Sequence, residues 1–126
     1  QAWAIETRSV HAVVPVVALT PLPDASAGVA GVLAWRGEPL IVRTLDDADP
    51  SAARAPFAVV VGGDAPEFAL LADAVPELAP LRLDDVRAAP AKIMDARPWL
   101  MGVTDRAELL IQGDQLIAYT KREDEQ

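Results

Sequence analysis

The sequence predicts an all-β fold made of small barrels or a sandwich. Short apolar segments rich in Val, Leu and Ile recur along the 126 residues and alternate with turn residues at regular intervals. The 11 prolines argue against long helices, because proline lacks the amide hydrogen that a helix interior requires. The predicted strands are residues 10–17, 31–35, 39–43, 57–61, 67–72, 79–83, 100–104, 108–112 and 115–119.

Turn signals connect these strands in order. Arg36-Gly37, Gly62-Gly63-Asp64 and Gln112-Gly113-Asp114 each separate two predicted strands. Glycine supplies the backbone freedom that such bends need, and β-branched residues fit the pleat on either side. The second of these turns lacks the Lys-Ser/Thr ending of a phosphate-binding loop. Residues 46–56 are polar and bounded by proline, so they are predicted to connect two halves.

Two short motifs occur twice. Trp3-Ala4-Ile5 matches Phe68-Ala69-Leu70, and Gly31-Val32 matches Gly102-Val103, with each Gly-Val pair leading into a predicted hairpin. We interpret the matches as an internal duplication, which predicts two similar modules.

Composition limits the classes of function. A hydrophobic content of 52% supports a folded chain, and the length fits one domain or two small joined subdomains. The net charge of −8 opposes binding to nucleic acid or to anionic lipid. Cysteine is absent, which excludes disulfides and thiolate zinc sites and fits a cytoplasmic compartment. No apolar run approaches the roughly 20 residues that cross a bilayer, so direct membrane insertion is not expected.

The hairpin over residues 31–42 is the main candidate for a contact surface. Its charged Arg36-Gly37 turn lies between two apolar segments and does not resemble a catalytic loop. The planar guanidinium of Arg36 suits a directional ion pair with a partner carboxylate. Trp35 and Trp99 are candidates for interface anchors, with core packing as the alternative for both.

Other polar residues predict no catalytic, cofactor or metal site. His11 is the only histidine, and a single imidazole does not make a metal centre. Asp73 is interpreted as structural. The serines at 9, 26 and 51 lack a Gly-x-Ser-x-Gly elbow, and the aspartates at 46, 47 and 49 lack the glycine and terminal glutamate of a calcium loop.

Taken together, the paired motifs, the 31–37 hairpin and the segments 19–23 and 71–75 resemble the CheW-like domain family. The resemblance implies two intimately joined, five-stranded SH3-like β-barrels within a single domain over residues 1–126. Subdomain one is expected at about 1–50 plus part of the C-terminal segment, and subdomain two at about 56–112. The resemblance also implies a first strand before Trp3, which is expected to be missing here.

The resemblance also implies a function. Members of the family are not enzymes, and they couple chemoreceptors to a CheA-type histidine kinase. The implied partners are the regulatory domain of that kinase and the cytoplasmic tip of a chemoreceptor. Three features depart from the family pattern: Ala34, Trp35 and the pair Arg43-Thr44. The predicted partner-binding residues are Val10, Gly31, Trp35, Arg36 and Gly37.

Three alternatives stay open at this point. The chain fits a divergent CheW-like interaction module of a larger or non-chemotaxis protein. It also fits a small-molecule-binding or catalytic β-barrel, with a pocket near His11 or Asp73. Unpaired strand edges would further permit self-association. No cofactor is predicted.

Overall fold

The computed structural model describes residues 3–22, 28–44, 57–72 and 78–124. The all-β fold class is confirmed, with few helices. The strands are β1 Trp3–Ile5, β2 Val10–Pro15, β3 Val29–Trp35, β4 Glu38–Arg43, β5 Phe57–Gly62, β6 Pro66–Ala72, β7 Leu100–Val103 and β8 Leu109–Ile111, and the helices are α1 Ala91–Ala96 and α2 Gly113–Asp124.

The chain divides into two compact units. One unit is Val10–Glu77, and the other combines Gln1–Ser9 with Leu78–Gln126. The predicted subdomains had different limits, at about 1–50 plus part of the C-terminal segment and at about 56–112. The difference arises because β5 pairs with β2 and β6 pairs with β4, which joins residues 57–72 to the first part of the chain. The segment Gln1–Ser9 leaves this unit because β1 pairs with β8 near the other end of the chain. Local sequence patterns carry no signal for a pairing over that distance.

The unit Val10–Glu77 contains a five-stranded sheet in the order β2-β5-β6-β4-β3. Beyond β2, Thr20 exchanges two backbone hydrogen bonds with Val32 of β3, at 2.8 and 2.9 Å. The chain that leaves one edge strand therefore binds the other edge strand, as it does in a small barrel. This unit agrees with the predicted five-stranded module.

Apolar side chains from four strands form the core of this unit. Strands β5 and β6 are buried on both faces over residues 58–61 and 68–71, which explains their continuous Val, Leu and Ala composition. Each fully buried Val or Leu side chain among them stabilises the fold by roughly 1.5–3 kcal/mol. The core cluster consists of Leu33, Leu40, Val42, Ala58, Val60, Ala69 and Leu71.

The other unit contains a three-stranded sheet in the order β1-β8-β7. Strand β1 runs parallel to β8, and β7 runs antiparallel to it. Among the residues described, this sheet has three strands instead of the predicted five. Helix α2 buries Leu116, Ile117 and Thr120, and Trp99 is also buried in this unit.

Two predicted strands are wrong. Residues 115–119 lie in α2, because Leu116, Ile117 and Thr120 are spaced to share one helix face. A short apolar run such as this one fits a strand or a buried helix segment equally well. The predicted turn at 112–114 is the start of the same helix, where Gly113 lies against Ser9. Residues 79–83 form no strand, and all five are exposed.

The repeated motifs occupy equivalent places in the two sheets. Ala4 of β1 pairs in parallel with Leu110 of β8, and Ala69 of β6 pairs in parallel with Val42 of β4. In both cases the partner strand is the second strand of a hairpin that follows a Gly-Val motif. The first copies of the two motifs lie in β1 and β3, and the second copies lie in β6 and β7. The aromatic-Ala strand of each copy thus pairs with the hairpin of the other copy. The connection predicted over residues 46–56 lies outside the described residues.

Candidate functional site

The tip of the β3–β4 hairpin is a tight two-residue turn. Trp35 pairs with Glu38 in the antiparallel ladder, which leaves Arg36 and Gly37 as the loop. Arg36 has φ 53° and Gly37 has φ 81°. Positive φ at both loop positions identifies a type I′ turn, whose twist matches that of the flanking strands. The turn predicted from the Arg-Gly pair is confirmed.

Arg36 lies over the neighbouring tryptophan. Its Cζ is 4.5 Å from the centroid of the Trp35 ring, within the range of a cation–π contact. Trp35 is half-buried and also packs against the core cluster. The ring thus contacts the core as well as the guanidinium. Because Arg36 itself is exposed, its charge is available at the surface.

The outward side of the hairpin is apolar. Alternate residues of a strand share a face, so Leu33 and Leu40 point into the core while their neighbours point outward. The outward residues form two cross-strand pairs, and three of the four side chains are exposed. We call this surface the outer strip; it consists of Val32, Ala34, Pro39 and Ile41.

Gly31 has a packing role. A Cβ at this buried position would overlap the carbonyl oxygen of Thr20, the residue that bridges to Val32. Glycine therefore permits the close approach that joins the segment after β2 to β3. A contact between Gly31 and a partner stays a prediction.

The structure brings three of the five predicted partner-binding residues together. Trp35, Arg36 and Gly37 form the hairpin tip, whereas Gly31 lies near the start of β3. Val10 is half-buried at the start of β2 and pairs with Val61 of β5. Its role in partner binding also stays a prediction.

The remaining candidates have structural positions or lie outside the described residues. Trp99 is only 5% exposed, so it is a core residue. His11 is exposed, and its Nε2 lies 3.0 Å from the Gly63 carbonyl oxygen in the turn between β5 and β6. Ser9 is buried beside Gly113. Asp73, the aspartates at 46, 47 and 49, and the serines at 26 and 51 lie outside the described residues.

Within the described ranges, no group of three or more His, Cys, Asp or Glu side chains is arranged to hold a metal ion. Likewise, no helix there is both long enough and apolar enough to span a membrane.

Two features of the unit Val10–Glu77 were not identified from the sequence. The alternation of Pro39, Leu40 and Ile41 carries a signal for the outer strip, since it places Pro39 and Ile41 on the face opposite Leu40. The second feature is Arg43, which is buried, with its Cζ 5.8 Å from the Phe68 ring centroid. Only the departure of Arg43-Thr44 from the family pattern marked that position.

Comparison with known proteins agrees with this geometry. The family model for the CheW-like domain matches residues 1–119. Among solved structures, the chain is similar to the scaffolding protein TtCheW from Thermoanaerobacter tengcongensis, with a TM-score of 0.69 and 19% sequence identity. The similarity covers 87% of this chain and 79% of that one, and at this identity it establishes the fold. The search of curated proteins found no match. Since the family model covers nearly the whole sequence, the chain belongs to the CheW-like domain family.

Proposed function

We propose that this protein is a non-enzymatic adaptor of bacterial chemosensory signalling. In this proposal it binds the regulatory domain of a CheA-type histidine kinase and the cytoplasmic tip of a chemoreceptor, and it acts in the cytoplasm. The observation that carries the proposal is the exposed Arg36-Gly37 turn on an apolar hairpin, in a chain of the CheW-like family. The similar protein TtCheW is itself described as a scaffolding protein.

The backbone at Arg36 supports a contact role for this residue. The first loop position of a type I′ turn favours Asn, Asp or Gly, because these residues tolerate positive φ. For other residues the left-handed conformation costs roughly 1–2 kcal/mol. Arg36 occupies that conformation at φ 53°. A strained residue with an exposed charge at a hairpin tip is typical of a functional position.

The outer strip supports a protein partner. Ala34, Pro39 and Ile41 are exposed aliphatic residues on one face, next to the charged turn. An apolar surface bordered by charge is the usual composition of a protein interface, where the apolar part supplies burial and the charge sets orientation. We therefore assign the kinase regulatory domain to this face. The receptor tip is assigned from family membership alone.

A binding experiment with matched charge reversals tests the proposal. Arg36→Glu reverses the charge at the β3–β4 tip, and Arg106→Glu reverses an exposed arginine in the turn between β7 and β8. The full chain and both variants are mixed with a purified CheA-type regulatory domain and analysed by size-exclusion chromatography and calorimetry. The wild type and Arg106→Glu are expected to co-elute with the domain, and Arg36→Glu is expected to bind at least about tenfold more weakly.

The thermal midpoint separates binding from folding. Both variants are expected to melt close to the wild type, because exposed turn charges contribute little to stability. Failure of the wild type to bind the domain or to join a receptor–kinase assembly would refute the adaptor function. Equal binding by the two variants would exclude the Arg36 tip as the contact.

A further inference from the structure

The stack of Arg36 on Trp35 has a geometric consequence for recognition. A guanidinium is planar, and its N–H groups point outward in that plane. The Trp35 ring lies 4.5 Å from Cζ and occupies one side of the group. Since the ring also packs against the core cluster, its position is set by the fold. The flexible arginine side chain therefore has a preferred orientation before any partner arrives.

We propose that Trp35 is a positioning residue that orients the Arg36 guanidinium to receive a carboxylate of the protein partner. The inference rests on the proposed adaptor function and adds the chemistry of the contact. The in-plane N–H groups of a guanidinium form paired hydrogen bonds with a carboxylate, a geometry that lysine does not reproduce. Pre-orientation lowers the entropy that is lost when the contact forms. The recognised residue is therefore an Asp or Glu of the partner, next to the apolar surface that meets the outer strip.

The contacts of Trp35 favour a positioning role over the role of an interface anchor. An anchor residue contributes its own buried area to the interface. Part of the Trp35 surface already contacts the core cluster, and another part contacts Arg36. A substitution of Trp35 should therefore change the affinity for the partner only when Arg36 is present. That dependence is measurable, because two residues that act through one contact are not additive.

A double-mutant cycle tests the inference. The affinity of the full chain for the CheA-type regulatory domain is measured for the wild type, Trp35→Leu, Arg36→Met and the double variant. Arg36→Met is expected to weaken binding at least about tenfold. Trp35→Leu is expected to weaken it about two- to fivefold, the equivalent of an exposed cation–π contact of about 0.5–1 kcal/mol. In the Arg36→Met background, Trp35→Leu is expected to have no further effect.

Two controls make the result decisive. Trp35→Phe keeps an aromatic ring and is expected to bind better than Trp35→Leu, with circular dichroism confirming that both variants are folded. In the free protein, NMR is expected to show ring-current shifts of the Arg36 side-chain protons that disappear in Trp35→Leu.

The outcomes separate the two proposals. If Trp35→Leu weakens binding by the same factor in both backgrounds, or if the ring-current shifts are absent, the positioning role is overturned while the adaptor function stands. If Arg36→Lys binds as well as the wild type, carboxylate recognition by the guanidinium is overturned. If the wild type does not bind the domain at all, both the adaptor function and this inference fail.

Discussion

The β3–β4 and β7–β8 hairpins begin alike and end differently. In each hairpin the first strand contains a Gly-Val pair, and the valine exchanges two backbone hydrogen bonds with one residue of a crossing segment. The crossing residue is Thr20 at Val32, and it is Arg87 at Val103. In both hairpins a Cβ on the glycine would meet the carbonyl oxygen of that crossing residue. The two hairpins thus share one packing arrangement.

The tips differ in what they do with their polar groups. In the β7–β8 turn, the buried Thr104 hydroxyl accepts hydrogen bonds from the backbone N–H groups of Arg106 and Glu108, at 3.3 and 3.2 Å. It also donates to Glu108 Oε1 at 3.1 Å. In the β3–β4 turn, the backbone dihedral angles of Arg36 and Gly37 set the shape. Both tips expose an arginine. The β7–β8 tip is held by hydrogen bonds of the Thr104 side chain, whereas at the β3–β4 tip the exposed guanidinium of Arg36 lies over the Trp35 ring.

The largest expected effect tests the shared arrangement. Gly31→Ala and Gly102→Ala are each expected to lower the free energy of unfolding by about 3 kcal/mol, since the new Cβ would overlap a carbonyl oxygen. Urea denaturation of the two variants measures the loss.

Gly37→Ala is the matched control for these variants. A Cβ there would have no neighbour within 4 Å, so only its φ of 81° carries a cost, of about 1 kcal/mol. A loss at Gly31 no greater than the loss at Gly37 would contradict the close approach to Thr20.

The next effect concerns the β7–β8 tip alone. Thr104→Val removes the hydroxyl that organises the turn and is expected to lower the free energy of unfolding by about 1–2 kcal/mol. Thr104→Ser keeps the hydroxyl and should retain most of that stability. Neither variant should change the affinity for the kinase regulatory domain. A marked loss of affinity in Thr104→Val would mean that the partner contacts this tip as well.

The smallest effect has the opposite sign. Arg36→Asn suits the type I′ turn and is expected to raise the free energy of unfolding by up to about 0.5 kcal/mol. Relief of about 1 kcal/mol of backbone strain exceeds the loss of an exposed cation–π contact of about 0.5 kcal/mol. Thermal and urea unfolding would detect this gain, and binding of the regulatory domain should weaken. A drop in stability of more than about 1 kcal/mol would show that the Arg36 stack holds the turn together.

Much of this comparison was predictable from local sequence. A Gly-Val pair marks each hairpin in the sequence, and the Arg-Gly pair marks the turn of the β3–β4 hairpin. These signals are local, because glycine favours turns and β-branched residues favour strands. The resemblance of Trp3-Ala4-Ile5 to Phe68-Ala69-Leu70 also corresponds to a real equivalence, since each segment pairs in parallel beside a hairpin. Family membership was predictable from the same motifs.

Long-range and three-dimensional features were not predictable. The pairing of β1 with β8 joins the two ends of the chain and leaves no local pattern. Helix α2 was mistaken for a strand, because the apolar pair Leu116-Ile117 fits both elements. The stack of Arg36 on Trp35 depends on side-chain orientation, which adjacency in sequence does not fix.

The role of the β3–β4 tip as the partner contact is tested most directly by an NMR titration of the isotopically labelled full chain with an unlabelled CheA-type regulatory domain. If the β3–β4 tip is the contact, the largest amide shift changes fall on Arg36, Gly37 and the outer-strip residues Val32, Ala34 and Ile41, while residues 104–108 stay unchanged. Changes centred on residues 104–108, or no change anywhere at saturating domain concentration, would contradict that role.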